Sequence, residues 1–141
     1  MKARKLGYWI TTALVALVFA SGGFFDLAKA PPVAATMAHL GYPAYVATIL
    51  GLWKLLGTVA LLAPGFPRLK EWAYAGMVFD LTGAAVSHAA AGDGAAVVAT
   101  PLVVLALAIA SWALRPAGRR LAAVWATGSG APVLAVGKVA A

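Results

Sequence analysis

The sequence predicts an all-α integral membrane protein, a four-helix up-down bundle with a short interfacial helix between its first and second spans. Its 141 residues are 63% hydrophobic and only 11% charged, with a mean hydropathy of +0.91, far from the usage of soluble domains. The apolar residues form four separate blocks, each about as long as an α-helix needs to cross a hydrocarbon core of ~30 Å. No block alternates polar and apolar residues as a spanning β-strand would.

Each predicted element follows from these blocks and the residues between them. The spans are predicted at residues 8–25, 43–63, 71–91 and 95–114. In the first connection Pro31 and Pro32 precede residues 33–40, which are too few to span and are typical of an interfacial helix opened by proline. Residues 64–70 and 92–94 form short turns, so the helices they join are expected to be antiparallel neighbours.

The basic residues predict the orientation, because Lys and Arg near span ends accumulate on the cytoplasmic side. Nine of the eleven fall on one side of the predicted bundle: Lys2, Arg4, Lys5, Arg68, Lys70, Arg115, Arg119, Arg120 and Lys138. Both termini are therefore predicted to be cytoplasmic. Residues 1–114 form the membrane domain, and residues 115–141 form a basic, loosely ordered cytoplasmic tail that touches the membrane surface.

The N-terminal segment has an alternative interpretation. Basic residues, an apolar run and then Ala28-Lys29-Ala30 resemble a cleavable signal peptide with an A-x-A site. The apolar run exceeds the usual length of such a peptide, so a retained first span is the prediction.

Composition also restricts the chemistry. The sequence has no cysteine, which excludes disulfides, thiol relays and cysteine-bound metals. No phosphate-binding glycine loop and no metal or hydrolase motif is present, so no metal site is predicted. The net charge of +7 is explained by topology and by anionic headgroups, and no nucleic acid is expected as a partner.

Two ionisable residues are predicted at membrane depth, where a lone charge is costly. Lys54 lies nine residues before the end of the second span, and Asp80 lies nine residues after the start of the third. Both therefore lie ~13.5 Å from the same side of the bilayer. Because the two spans are antiparallel neighbours, an ion pair between Lys54 and Asp80 is predicted.

Small and polar residues on the same helix faces extend this pair into a polar seam. The predicted ligand-binding residues are Lys54, Thr58, Asp80, Ser87 and His88, with Asp80 and His88 as candidate catalytic residues. One interpretation makes the seam a binding cavity for a small amphiphile or a proton-handling site. The other makes the charges a device that fixes helix register. Axial haem ligation by His39 and His88 is an alternative by residue type, without an attachment motif.

Several of these residues also lie in stretches that resemble the DoxX-like family of membrane proteins. The resemblance rests on residues 40–45, on Leu50-Gly51 with Lys54-Leu55-Leu56-Gly57, on residues 64–76, and on Phe79-Asp80 and Ser87-His88. It covers about residues 8–114. It implies four helices in a bacterial inner membrane, and some relatives are subunits of quinone-linked oxidoreductases or partners of redox-stress systems.

Three functions remain open at this stage, and the sequence does not decide whether the protein is an enzyme. The first is a redox-associated membrane subunit that binds a quinone-like or quinol-like molecule in the seam and docks an oxidoreductase partner. The second is a cofactor-independent isomerase or hydrolase acting on an apolar substrate, with Asp80 as acid or base. The third is a small transporter or assembly factor that forms a homo-oligomer.

Overall fold

The computed structural model describes residues 2–121, which form five α-helices and no β-strand. The helices are α1 (Lys2–Leu27), α2 (Pro31–His39), α3 (Ala44–Leu62), α4 (Pro67–Ala90) and α5 (Ala95–Leu114), followed by a 3-10 turn at Ala117–Arg119. The predicted all-α class is confirmed for this part of the chain. Residues 122–141 lie outside the described residues, so the predicted character of the tail stays a prediction.

The helix boundaries follow local backbone chemistry. Gly65 and Phe66 adopt positive φ angles of 72° and 51° and reverse the chain between α3 and α4. Pro67 then opens α4, because its fixed φ suits the first helical position and its missing N–H costs nothing there. The helix thus begins four residues before the predicted start of the third span. Gly92, at a φ of 78°, makes the turn into α5.

The short helix α2 begins with Pro31 and Pro32, as the sequence predicted for an interfacial helix in this connection. It packs against α3, yet none of its residues is buried. Such a weakly anchored helix depends on side-chain contacts at its end for its position.

The four longer helices pack in a ring, with α1 and α4 each contacting both α3 and α5. Their interior contains an apolar cluster of Val15, Ala16, Phe19, Leu61, Tyr74, Met77, Leu81 and Ala108. A buried hydroxyl network crosses the same interior: Ser111 Oγ lies 2.7 Å from Thr12 Oγ1 and 2.8 Å from Tyr74 Oη. This network connects α1, α4 and α5 without leaving these buried hydroxyls unpaired.

The outer surface is largely apolar. Trp72 and Phe79 are 77% and 76% exposed, and an apolar surface of this kind fits a lipid environment. Within residues 2–121, three helices are long and apolar enough to cross a membrane: α1, α3 and α5. The more polar α4 is not among them, so the predicted four-span arrangement stays a prediction.

The closest approach between α1 and α3 occurs at Gly23 and Gly51. A Cβ atom added to Gly23 would lie 2.9 Å from the carbonyl oxygen of Gly51, and one added to Gly51 would lie 2.8 Å from that of Gly23. Only glycine permits this backbone contact. The contact lies one helical turn from Asp26 on α1 and one turn from Lys54 on α3.

Candidate functional site

Lys54 forms its ion pair with Asp26. Its Nζ lies 2.8 Å from Asp26 Oδ2, and the two side chains are 22% and 10% exposed. The predicted pair between Lys54 and Asp80 is not formed. The physical reason is the glycine contact between Gly23 and Gly51, which brings α1 against the face of α3 that carries Lys54.

A sequence signal for this pair was present. Gly23 precedes Asp26 by three residues, and Gly51 precedes Lys54 by three residues. Each glycine therefore lies one turn from its charge on the same helix face. Matching these two patterns would have indicated a crossing of α1 and α3 beside the pair.

Asp80 has no ion-pair partner of this kind. Within the described residues, no side-chain hydrogen bond or ion pair joins Asp80 to another residue, while it lines the same cavities as Lys54. Its position beside Lys54 agrees with the predicted common depth of the two residues. The predicted pair had one lysine and one carboxylate. In the structure Lys54 lies near two carboxylates and is bonded to Asp26.

Two adjoining cavities meet at Lys54 and Asp80, and we call them together the α3–α4 groove. The first has a volume of about 470 Å³ and reaches Leu69 and Trp72 near the start of α4. The second has a volume of about 500 Å³ and extends to Ser87 and His88 near the end of α4. Both volumes lie within the range of small-molecule sites.

Glycines keep the groove open. A Cβ atom added at Gly57, Gly76 or Gly83 would meet nothing within 4 Å. The first two line one cavity and the third lines the other. Aromatic and aliphatic side chains form most of the remaining wall: Phe19, Leu50, Trp53, Leu56, Trp72, Met77 and Phe79.

The predicted site residues do not all face the groove. Lys54, Asp80, Ser87 and His88 line it. Thr58 is buried and donates its hydroxyl to the Lys54 carbonyl at 2.8 Å, and it lines neither cavity. A threonine hydroxyl four residues along a helix satisfies itself on the backbone in this way.

His88 and His39 share one carboxylate at the α2 end of the groove. His88 Nδ1 lies 2.6 Å from Asp93 Oδ2, and His39 Nε2 lies 2.8 Å from Asp93 Oδ1. These hydrogen bonds, that of His88 foremost, lower the pKa of the Asp93 carboxyl. One ring nitrogen of each histidine is therefore bonded to Asp93. The haem alternative did not include this contact.

A second contact fixes the same end. Ser87 donates its hydroxyl to the Gly83 carbonyl at 2.8 Å, so the Tyr42 hydroxyl, 2.7 Å away, donates to Ser87. Together with the contact between His39 and Asp93, this bond holds α2 and the start of α3 against the end of α4. Nothing in the sequence placed Tyr42 or Asp93 here, because residues distant in the chain meet only in the folded bundle.

At the opposite end, cations cap the C-terminus of α3. The fully buried Lys70 donates to the carbonyls of Ala60 at 2.8 Å, of Leu61 at 3.1 Å and of Ala63. Arg119 adds a donor to Leu61 at 3.3 Å. Positive charge at this position suits both the free carbonyls and the helix dipole.

Glu71 pairs with Arg115, whose Nη1 lies 2.8 Å from its carboxylate, and it accepts a hydrogen bond from Trp112 Nε1 at 2.9 Å. These contacts tie the start of α4 to the end of α5. Lys70 is unavailable to Glu71 because it already caps α3.

Long apolar helices, a largely apolar surface and an internal groove with charged residues define a small helical membrane protein. The chain belongs to the DoxX-like family, whose model matches residues 10–111. This match confirms the resemblance carried by the Lys54 and Asp80 stretches. No curated protein and no solved structure matches the chain.

Proposed function

We propose that α4 is a fourth membrane span and that the chain is an up-down bundle in a bacterial inner membrane with both termini cytoplasmic. Two features support α4 as a span. Its 24 residues rise ~36 Å, enough to cross a bilayer. Two of the three charges near its start are engaged within the protein, Lys70 by carbonyls and Glu71 by Arg115, and the third, the exposed Arg68, lies in the first turn at the end of the helix.

Within this bundle, we propose that the α3–α4 groove binds a lipid-soluble amphiphile. The single observation that carries the proposal is an open, mostly apolar cavity with Asp80 in its wall. Asp80 is a carboxylate without a described partner. Retaining a carboxylate at such a depth for packing alone is costly. An apolar body would lie among the groove's aromatic and aliphatic residues, and a polar head would reach Asp80.

The chemistry of Asp80 restricts the head group. An ionised carboxylate only accepts hydrogen bonds, whereas the Lys54 ammonium has three N–H donors, one of which binds Asp26. The preferred head therefore donates a hydrogen bond to Asp80 and can accept one from Lys54. A quinol-like molecule has two hydroxyl donors, whereas its oxidised quinone has only acceptors.

A redox association follows from this ligand class. The chain has no cysteine, so electrons would be carried by the ligand and by an oxidoreductase partner. The alternative in which Asp80 and His88 act together as acid and base has less support. The two residues are eight positions apart on α4, ~12 Å, and Asp93 engages His88.

Tryptophan fluorescence can test the binding proposal, because Trp53 and Trp72 line the groove. A short-chain hydroquinone is titrated into the purified protein in detergent, and the oxidised quinone is titrated in parallel. We expect saturable quenching by the hydroquinone and roughly tenfold weaker binding when Asp80→Asn replaces the charged acceptor by a neutral and weaker one.

Matched variants separate groove binding from partitioning into detergent. Gly76→Leu places a side chain in the open space of the cavity that Trp53 and Trp72 line, and Ala106→Leu makes the same kind of change on an exposed part of α5. Loss of saturable quenching in Gly76→Leu alone supports the groove. Equal, non-saturating quenching in every variant would show partitioning only and would reject the proposal.

A further inference from the structure

A separate basic pocket lies where α1 begins and α5 ends. It has a volume of about 260 Å³ and is lined by Arg4, Lys5, Leu114, Arg115, Pro116, Ala117 and Arg120. Four of these seven residues are basic and the other three are apolar. All seven lie outside residues 10–111, which the family model matches.

Backbone contacts hold two of the guanidinium groups in place. Arg4 Nη2 and Arg120 Nη2 both donate to the carbonyl of Ala113, at 3.2 and 2.7 Å. Arg120 Nε also donates to the carbonyl of Arg115 at 2.7 Å. Each guanidinium has five N–H donors, so both retain donors for another acceptor. The pocket is thus lined by positioned cations.

No acidic side chain of the sequence is left to neutralise these cations. The sequence has four acidic residues, and the described contacts assign each a place. Asp26 pairs with Lys54, Asp93 binds two histidines, and Asp80 lines the groove. Glu71 pairs with Arg115. Arg4, Lys5 and Arg120 therefore repel one another unless an anion other than these four side chains binds between them.

We propose that this pocket binds the phosphate headgroup of an anionic phospholipid. Phosphate suits the pocket because guanidinium groups bind its oxygens through parallel charge-assisted hydrogen bonds. Lipid suits it because Leu114, Pro116 and Ala117 give it an apolar wall. Nearby positions on α1 and α5 expose Leu6, Trp9 and Trp112, where acyl chains can lie. Basic pockets between membrane helices bind such headgroups.

Native mass spectrometry of the purified full chain tests this site. The protein is exchanged into micelles that contain phosphatidylglycerol or phosphatidylcholine with the same acyl chains. We expect retention of phosphatidylglycerol, and we expect its affinity to fall roughly tenfold or more in Arg4→Gln/Arg120→Gln, because both guanidinium groups lose their charge-assisted hydrogen bonds to the phosphate.

The control removes the same charge elsewhere on the described chain. Lys2 and Arg68 are exposed and line no part of this pocket, so Lys2→Gln/Arg68→Gln is expected to change lipid affinity by about twofold at most. Arg4→Lys/Arg120→Lys, which keeps the charge, is expected to retain part of the binding. Thermal melting of each variant checks that it is folded.

The outcomes are distinct. Loss of phosphatidylglycerol in the pocket variant alone supports the site. Equal loss in both glutamine double variants would indicate general charge attraction and overturn it. Displacement of the lipid by an equimolar concentration of inorganic phosphate at constant ionic strength would show that the acyl chains add nothing to binding, and this would also overturn the proposal. Because these variants do not touch the α3–α4 groove, the result is independent of the proposed amphiphile site.

Discussion

The Lys54 ammonium lies 2.8 Å from the Asp26 carboxylate across the contact of α1 with α3. This relationship assigns the two carboxylates near Lys54 different roles. Asp26 neutralises the lysine within the protein, whereas Asp80 faces the α3–α4 groove.

Replacing Asp26 is therefore expected to destabilise the protein far more than replacing Asp80. Asp26→Ala leaves Lys54 mostly buried without its counter-ion, a loss that costs ~3–5 kcal/mol in comparable buried pairs and less where solvent reaches the pair. Asp80→Asn removes no described contact. Thermal unfolding in detergent, followed by circular dichroism, measures both. Exchanging the pair, Asp26→Lys/Lys54→Asp, is expected to restore part of the stability. Equal destabilisation by Asp26→Ala and Asp80→Asn would contradict the assignment.

Gly51 is expected to tolerate no side chain. The added methyl group of Gly51→Ala would meet the Gly23 carbonyl oxygen at 2.8 Å and Asp26 Cβ at 2.9 Å, so α1 and α3 must separate beside the ion pair. Overpacking of this kind costs ~1–3 kcal/mol. Gly57→Ala is the matched control, because its Cβ would enter open space on the same helix. The melting temperatures of the two variants are compared, and a Gly51→Ala protein as stable as Gly57→Ala would refute the close contact.

The contact of Asp93 with the two histidines is expected to weaken in acid. Hydrogen bonds from His88 and His39 lower the pKa of Asp93, so the folded state favours the ionised carboxylate. Its contribution to stability is complete above the ordinary Asp pKa of ~4 and is lost as the pH falls through the lower folded-state pKa. Melting temperatures measured from about pH 5, above the ordinary Asp pKa, down to about pH 2 should fall less in Asp93→Asn than in the wild type. Parallel pH curves for the two proteins would exclude this linkage.

The fourth span can be tested with single cysteines, because the chain has none. Gly65→Cys and Gly92→Cys place thiols in the turns before and after α4. If α4 spans the bilayer, a membrane-impermeant maleimide added to intact cells labels Gly92→Cys and does not label Gly65→Cys. After lysis it labels both variants. Labelling of both positions in intact cells would place α4 along one side of the membrane and reject the four-span bundle. The positive φ angles at these glycines require a check that each variant accumulates normally.

Sequence alone located most of the helices because apolar blocks have chemical boundaries. The predicted span 95–114 coincides with α5, which Gly94 precedes and Arg115 follows. The sequence prediction places residues 67–70 in a turn because two of them are basic, whereas α4 begins at Pro67. Pro67 nevertheless opens a helix there, and the lysine in that first turn is buried as a cap of α3.

The site was predictable only in part. Counting residues from the span ends put Lys54 and Asp80 at one depth, and both line one groove. Depth does not determine a partner, however. That choice depends on how closely the helices approach, which Gly23 and Gly51 determine for α1 and α3. The contact between His39 and Asp93 joins residues 54 positions apart, and no local pattern encodes it.

The most direct test of the central claim is to map where a ligand binds in membranes. A photoreactive, lipid-soluble hydroquinone is added to membranes that contain the full chain, and labelled residues are identified by peptide mass spectrometry. The account predicts adducts concentrated on the wall of the α3–α4 groove, around Trp53, Trp72 and Phe79, that disappear with excess unlabelled hydroquinone and in Gly76→Leu. Adducts spread evenly over exposed apolar positions of α1 and α5, unaffected by competitor, would contradict it.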